Sequence, residues 1–160
     1  MSKSIESAAV SAPAVSGVLT GRYDHGLDPK KRLTIPSGWR TVMGNPRFVY
    51  VMPDRKEKCV NILPEAEMNV LLSKLREKAL FDPAQNRLLQ IIGSMSDQVD
   101  LDVQGRIRIS DKLLQFANLT TTVAMVGSVR MIKLWNPAAL GPTDVIDQAA
   151  LDAAMTEAGW

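Results

Sequence analysis

The chain has 160 residues, 46% hydrophobic and 22% charged, with a formal net charge of +2, which suits one globular domain or two small halves sharing a core. No apolar run approaches the ~18 residues of a membrane span. Cys59 is the only cysteine, so no intrachain disulfide can form, and the single His25 leaves no cluster of zinc ligands and only one imidazole base. Catalysis, cofactor chemistry and turnover of a small-molecule substrate are disfavoured on these counts.

Taken in chain order, residues 1–16 are rich in Ser, Ala and Val, with Lys3 and Glu6 as their charges. They lack the basic start and unbroken apolar block of a secretory signal, so they read as a disordered N-terminal extension of a cytoplasmic protein. Residues 17–64 read as strand, charged turn, strand, short helix and a two-stranded hairpin. Leu33 and Ile35 alternate to one face, and Asp28-Pro29 marks the turn. From Pro36 to Gly44 a short helix carries Trp39, Val42 and Met43, with Gly44 where a C-cap belongs. Phe48 to Val51 and Val60 to Leu63 supply the hairpin.

Residues 65–95 are helical. Met68, Leu71, Leu72, Leu75 and Ala79 recur at helical spacing. Asp82-Pro83 then restarts a second helix, whose Leu88, Leu89, Ile91, Ile92 and Met95 form an apolar face interrupted by Gly93. This connector is too long and too apolar for a linker. It is expected to cover the sheets as a helical layer and to lend Leu71, Leu75, Leu88 and Ile92 to a subunit contact.

Residues 96–140 repeat the first unit. Leu27 to Pro36 aligns with Leu101 to Ser110 at an offset of 74, with Asp and Arg in the same places. Trp39, Val42 and Met43 fall against Leu113, Phe116 and Ala117, Gly44 against Asn118, and Phe48–Val51 against Thr122–Met125. The last strands, Val60–Leu63 and Ile132–Trp135, stand at an offset of 72, which predicts a hairpin turn two residues shorter in the second copy. Each copy is too small to bury a core alone, so the two should pack together. Residues 141–160 form an acidic tail, expected to be poorly ordered or weakly helical.

The small net charge hides a segregation. Between Gly17 and Asn136 there are 18 basic and 12 acidic residues, an excess of 6 positive charges and a moderate footprint for a polyanion. Chemistry is concentrated in the repeated Asp-x-x-x-Arg turn, Asp28 to Arg32 and Asp102 to Arg106. A β-ribbon can enter the major groove, and a guanidinium can pair bidentately with guanine or a phosphate. Lys30, Lys31, Arg32, Arg106 and Arg108 are therefore the candidate DNA contacts. Asp28, Asp102 and Gly105 are expected to structure the turns, the carboxylates by bonding backbone N–H groups and orienting the Arg four residues on.

Tyr23 to Pro36 together with Val99 to Ile109 resembles the paired signature of the MraZ family, and the likeness runs from about Leu19 to Trp135. The resemblance implies a mainly β fold with α: two tandem AbrB-like swapped-hairpin halves with a helical connector. It further implies a closed ring of identical subunits binding double-stranded DNA at direct repeats, and a repressor of the division and cell wall gene cluster, associated with the nucleoid and needing no cofactor or membrane. Three positions depart from the family pattern. Lys31 stands where Gly is usual, so a changed shape is expected in the first turn, because non-Gly residues seldom adopt positive φ. Gln104 replaces Lys and Ser110 replaces Pro.

Two other function classes compete. An AbrB-fold protein-interaction module of antitoxin type would use the acidic tail, and an enzyme would need His25 with a carboxylate at no recognisable spacing. RNA binding is disfavoured by the lack of aromatics among the basic turn residues.

Overall fold

A computed structural model describes residues 17–141 and 145–160. The extension expected to be disordered, residues 1–16, lies outside the described residues, as do residues 142–144 of the tail.

The first repeat contains β1 (Arg22–Gly26), β2 (Arg32–Thr34), α1 (Ser37–Val42), β3 (Phe48–Pro53) and β4 (Val60–Leu63). Helices α2 (Glu65–Ala79) and α3 (Pro83–Met95) follow. The second repeat contains β5 (Asp97–Asp100), β6 (Arg106–Arg108), α4 (Asp111–Phe116), β7 (Thr122–Gly127) and β8 (Ile132–Trp135). The chain ends with α5 (Pro137–Leu140) and α6 (Gln148–Glu157).

The two repeats exchange strands. The larger sheet runs β1-β7-β8-β4-β3-β5, so β1 pairs with β7 of the other repeat and the equivalent β5 pairs with β3. At its centre β4 lies antiparallel to β8, with Asn61 opposite Lys133. Strands β2 and β6 form a separate two-stranded ribbon, with Leu33 opposite Ile107. Pairs of equivalent bonds repeat the pattern. Leu27 N donates to Thr121 O and Leu101 N to Arg47 O, while Ile35 N donates to Gly105 O and Ile109 N to Lys31 O. The halves are thus related by a pseudo-dyad and neither closes its sheet alone.

Alternation along the ribbon supplies the core. Leu33, Ile35, Ile107 and Ile109 are each 1% exposed or less and belong to one buried cluster with Trp39, Leu113, Val49 and Met125, with each fully buried aliphatic contributing ~1.5–3 kcal/mol. Gly44 and Asn118 both take positive φ, at 82° and 53°, after their helices. The shortened turn is present: residues 54–59 join β3 to β4, and residues 128–131 join β7 to β8.

The longer hairpin carries a polar knot. Asp54 accepts from Lys133 Nζ at 2.7 Å, from Asn61 Nδ2 at 3.0 Å, and from the amides of Lys56 and Glu57. Burial pushes the Asp54 carboxyl up, but these donors together outweigh it and hold it well below the usual carboxylate range. Cys59 lies buried nearby, and burial pushes its thiol up to about 11, so it is held protonated and unreactive.

The connector departs from expectation. It forms a helical hairpin in which α2 touches β3 and β4, while α3 packs chiefly on α2. Met68 is buried, yet no residue of α3 is, and Leu80, Phe81, Leu88, Ile91 and Met95 are exposed. The hairpin therefore meets the sheet chiefly through α2, at β3 and β4, and leaves much of the apolar face of α3 exposed. In the tail, α6 is a regular helix of ten residues, capped by Asp147 accepting from Ala150 N, and every residue of it is exposed.

Candidate nucleic-acid interface

The two Asp-x-x-x-Arg segments fold into superposable turns next to the ribbon. In the first, Asp28 Oδ1 accepts from the amides of Lys30 at 2.9 Å and Arg32 at 2.8 Å, while Oδ2 accepts from Arg32 Nε at 2.6 Å. In the second, Asp102 Oδ1 accepts from the amides of Gln104 and Arg106, both at 2.9 Å, and Oδ2 from Arg106 Nε at 2.7 Å. The backbone closes alike: Asp28 N to Arg32 O and Lys31 N to Asp28 O, against Asp102 N to Arg106 O and Gly105 N to Asp102 O. In both carboxylates the amide of the Arg is the largest influence; it outweighs partial desolvation and, with the guanidinium, lowers the pKa. Both stay ionised throughout the neutral range.

This arrangement fixes each guanidinium through Nε and leaves its two terminal nitrogens with no protein acceptor among the described residues. Those nitrogens are the pair that a bidentate contact to guanine or phosphate uses. The Asp therefore holds the turn and aims the Arg at once.

The expected change of shape in the first turn is corrected. Lys31 takes φ 61° where Gly105 takes φ 79°, and the hydrogen bonds match. Three bonds to one carboxylate and the closing backbone pair over-determine the turn, so Lys31 bears the left-handed conformation at a cost of ~1–2 kcal/mol. What differs is the surroundings. A Cβ on Gly105 would lie 2.5 Å from the Arg40 guanidinium carbon, so a side chain there would have to displace the end of Arg40, whereas glycine leaves it in place. At the first turn Leu114 replaces Arg40, and Lys31 instead reaches Asp111 at 3.2 Å.

Register gathers the candidate cations unevenly. Arg32 lies opposite Arg108 across the ribbon, so Lys30, Lys31, Arg32 and Arg108 share one end. At the other end Arg106 lies opposite Thr34. Sequence reading missed Arg40 and Arg47, which line a groove of about 520 Å³ beside the second turn with Asp102, Val103 and Gly105. Their equivalents in the repeat are Leu114 and Thr121, so a comparison of the copies position by position would have marked both as unshared cations. Among the described residues, no group of three or more His, Cys, Asp or Glu is placed to hold a metal ion, and no helix is long and apolar enough to cross a membrane.

Comparison with known proteins decides the kinship. The transcriptional regulator MraZ of Anaeromyxobacter dehalogenans is 33% identical over 122 residues, covering 74% of this chain and 84% of that protein. The chain belongs to the MraZ family. The MraZ of Gluconacetobacter diazotrophicus is 30% identical over 127 residues, 76% of this chain and 80% of its own length. That of Clostridium tetani is 28% identical over 116 residues, 72% and 80% respectively. A family model for the MraZ protein, described as antitoxin-like, matches residues 94–140. The fold is accordingly mainly β with α, two AbrB-like halves with exchanged strands and a helical connector, and MraZ relatives are named transcriptional regulators rather than enzymes.

Proposed function

We propose that this chain regulates transcription by binding double-stranded DNA directly, as a sequence-specific repressor of the division and cell wall gene cluster. The observation that carries the reading is the duplicated turn, in which an Asp anchors the backbone and aims an Arg whose outer nitrogens are free of protein acceptors among the described residues. Arg32 and Arg106 read bases or clamp phosphates, Lys30, Lys31 and Arg108 add phosphate contacts, and Asp28, Asp102 and Gly105 hold the turns. Residues 17–64 and 96–140 act as the two binding halves, with residues 65–95 joining them. Action on the chromosome places the protein in the cytoplasm with the nucleoid.

One chain presents two small turns, a modest contact for a specific site among many competitors. Assembly into a ring would make later contacts intramolecular and raise avidity by ~10²–10⁴. Subunits meeting head to tail would display the turns in the same sense, as direct repeats in DNA require. The exposed apolar residues of the connector, Leu80, Phe81, Leu88, Ile91 and Met95, support a subunit contact there.

The test is a titration of fluorescent DNA from the chain's own upstream region. Arg32→Ala with Arg106→Ala should weaken binding by ~1–3 kcal/mol for each lost base contact, while the chain stays folded in a thermal melt at the small cost of two partly exposed Asp–Arg pairs. Unaltered affinity in the double variant overturns the reading. Sedimentation of the full chain, expected to show a closed oligomer, checks the ring. A protein-interaction module of antitoxin type is the second reading, favoured by the wholly exposed α6 with Asp152 and Glu157. A chain ending at Gly141 that keeps full DNA affinity removes that segment from the DNA function.

A further inference from the structure

We infer that Arg40 and Arg47 are a phosphate-gripping pair for the second turn, supplied by the first repeat to a site that its own repeat leaves short of charge. The inference deepens the DNA-binding reading and rests on it.

The shortage follows from the repeat. Lys30 corresponds to Gln104, Lys31 to Gly105, and Arg108 to Thr34, so the second turn keeps Arg106 alone of the four cations at the first. Strand exchange fills the gap. Leu101, which opens the second turn, donates its amide to Arg47 O at 2.9 Å, and this bond sets Arg47 beside the turn. Arg40 comes from α1 and is anchored by Nε donating to Ile35 O at 3.1 Å. Its guanidinium lies over Gly105, whose missing side chain makes the space.

Neither arginine is consumed by the protein. Among the described residues, neither pairs with a carboxylate, and Arg40 Nη1 and Nη2 and the whole Arg47 guanidinium have no hydrogen-bond acceptor. Two carboxylates share the groove. Asp102 is committed to its turn, and Asp100 is exposed and makes no ion pair among the described residues. Arg40, Arg47 and Arg106 therefore present a net positive groove at the edge of the reading turn. A DNA backbone passing the turn supplies the anionic oxygens that a guanidinium pairs with most strongly. Such contacts are indifferent to sequence, which assigns these two residues to grip rather than to readout.

Salt dependence tests the assignment. Affinity of the full chain is measured against salt for two DNA fragments, its own upstream region and an unrelated duplex, with Arg47→Ala, Arg40→Leu (the residue present at position 114) and Lys30→Ala compared with the unaltered chain. Each phosphate contact contributes a slope of about −0.9. Arg47→Ala should flatten the log–log slope by about that amount and weaken both fragments by the same factor, roughly tenfold at ~0.1 M salt. Arg40→Leu should do likewise, and adding Gln104→Lys to Arg47→Ala should restore the slope. Arg47 is exposed, so its replacement leaves the fold intact and keeps the test decisive even if Arg40→Leu lowers stability. An unchanged slope in Arg47→Ala, while Lys30→Ala flattens it, overturns the inference and spares the DNA reading. A loss confined to the upstream fragment makes Arg47 a base reader and also overturns it. No binding by the unaltered chain sinks both.

Discussion

The two halves build one turn from two sequences. At the first, Pro29-Lys30-Lys31 lies between Asp28 and Arg32; at the second, Val103-Gln104-Gly105 lies between Asp102 and Arg106. Corresponding hydrogen bonds nevertheless agree within 0.1 Å. The shared shape therefore comes from the Asp and Arg that end each turn, and the three residues between them are free to vary in charge. Charge then follows the local environment. The first turn carries its own lysines, while the second yields space to Arg40 from the opposite repeat. Duplication fixed a geometry, and divergence redistributed the cations around it.

The largest test of how far the halves have diverged lies in their hairpins. Asp54 gathers four donors in the first hairpin, whereas the shorter second hairpin has no equivalent carboxylate. Asp54→Ala should cost about 2 kcal/mol, less than the loss of a fully dry ion pair because Lys133 retains some solvent. Its folded pKa lies below its unfolded value, so ionisation stabilises the protein at neutral pH and the gain is lost as pH falls below the ordinary carboxylate range. Urea denaturation should thus show a gap between the unaltered chain and Asp54→Ala that is full at pH 7 and narrows in acid. A gap that stays constant with pH would leave the knot without an electrostatic role.

Transplanting the first turn into the second comes next. Gly105→Lys should cost about 1–2 kcal/mol for the left-handed backbone, and more if the Arg40 guanidinium cannot move from the new Cβ. Adding Arg40→Leu recreates the surroundings of Lys31 and should recover the second part of that cost. A thermal-melt double-mutant cycle measures the coupling. Strict additivity would mean that Arg40 does not dictate the glycine.

Much of this organisation was legible in the residues themselves. The offset of 74 revealed the duplication, its fall to 72 revealed the shortened hairpin, and alternation at Leu33, Ile35, Ile107 and Ile109 marked the core. The turn carboxylates were legible too, because Asp is suited to bond amides two and four residues ahead. The pairing of β1 with β7 and β5 with β3 was not legible in either repeat alone, since a strand's pattern shows which face is buried and not which partner it takes. Arg40 and Arg47 were missed for the same reason: they lie beside a turn more than 50 positions away in sequence. The connector misled because apolar helical spacing looks the same whether the face meets its own sheet or stays exposed, as Ile91 and Met95 do.

A smaller effect separates the residues that open the short helices. Ser110 precedes α4 as Pro36 precedes α1, with φ −67° against −52°. Its side chain caps nothing, and its Oγ is buried without a partner among the described residues. Ser110→Pro fits the backbone already present, removes the unsatisfied hydroxyl and restricts the unfolded chain. A gain of about 1 kcal/mol is expected, read as a rise of ~2–4 °C in Tm for a chain of this size. A fall in Tm would show that the hydroxyl or the Ser110 amide has a role that the geometry does not reveal.

The smallest change in stability, and the sharpest for function, comes from making the turns alike in the other direction. Lys31→Gly relieves a left-handed non-glycine residue, worth ~1–2 kcal/mol. Against this, glycine loosens the unfolded chain by roughly 0.5–1 kcal/mol, and the exposed pair with Asp111 is lost, worth ~0–1 kcal/mol. The terms nearly cancel, so the melting temperature should hardly move. DNA binding should not be spared in the same way, because a cation leaves the turn while the Asp28–Arg32 scaffold stays intact. The salt slope should flatten by up to about 0.9 and affinity should fall equally for all sequences. Part of the Lys31 charge already faces Asp111, so Asp111→Asn in the unaltered chain should strengthen binding. If Lys31→Gly leaves both slope and affinity unchanged, Lys31 belongs to the protein surface and the first turn works with Lys30, Arg32 and Arg108 alone.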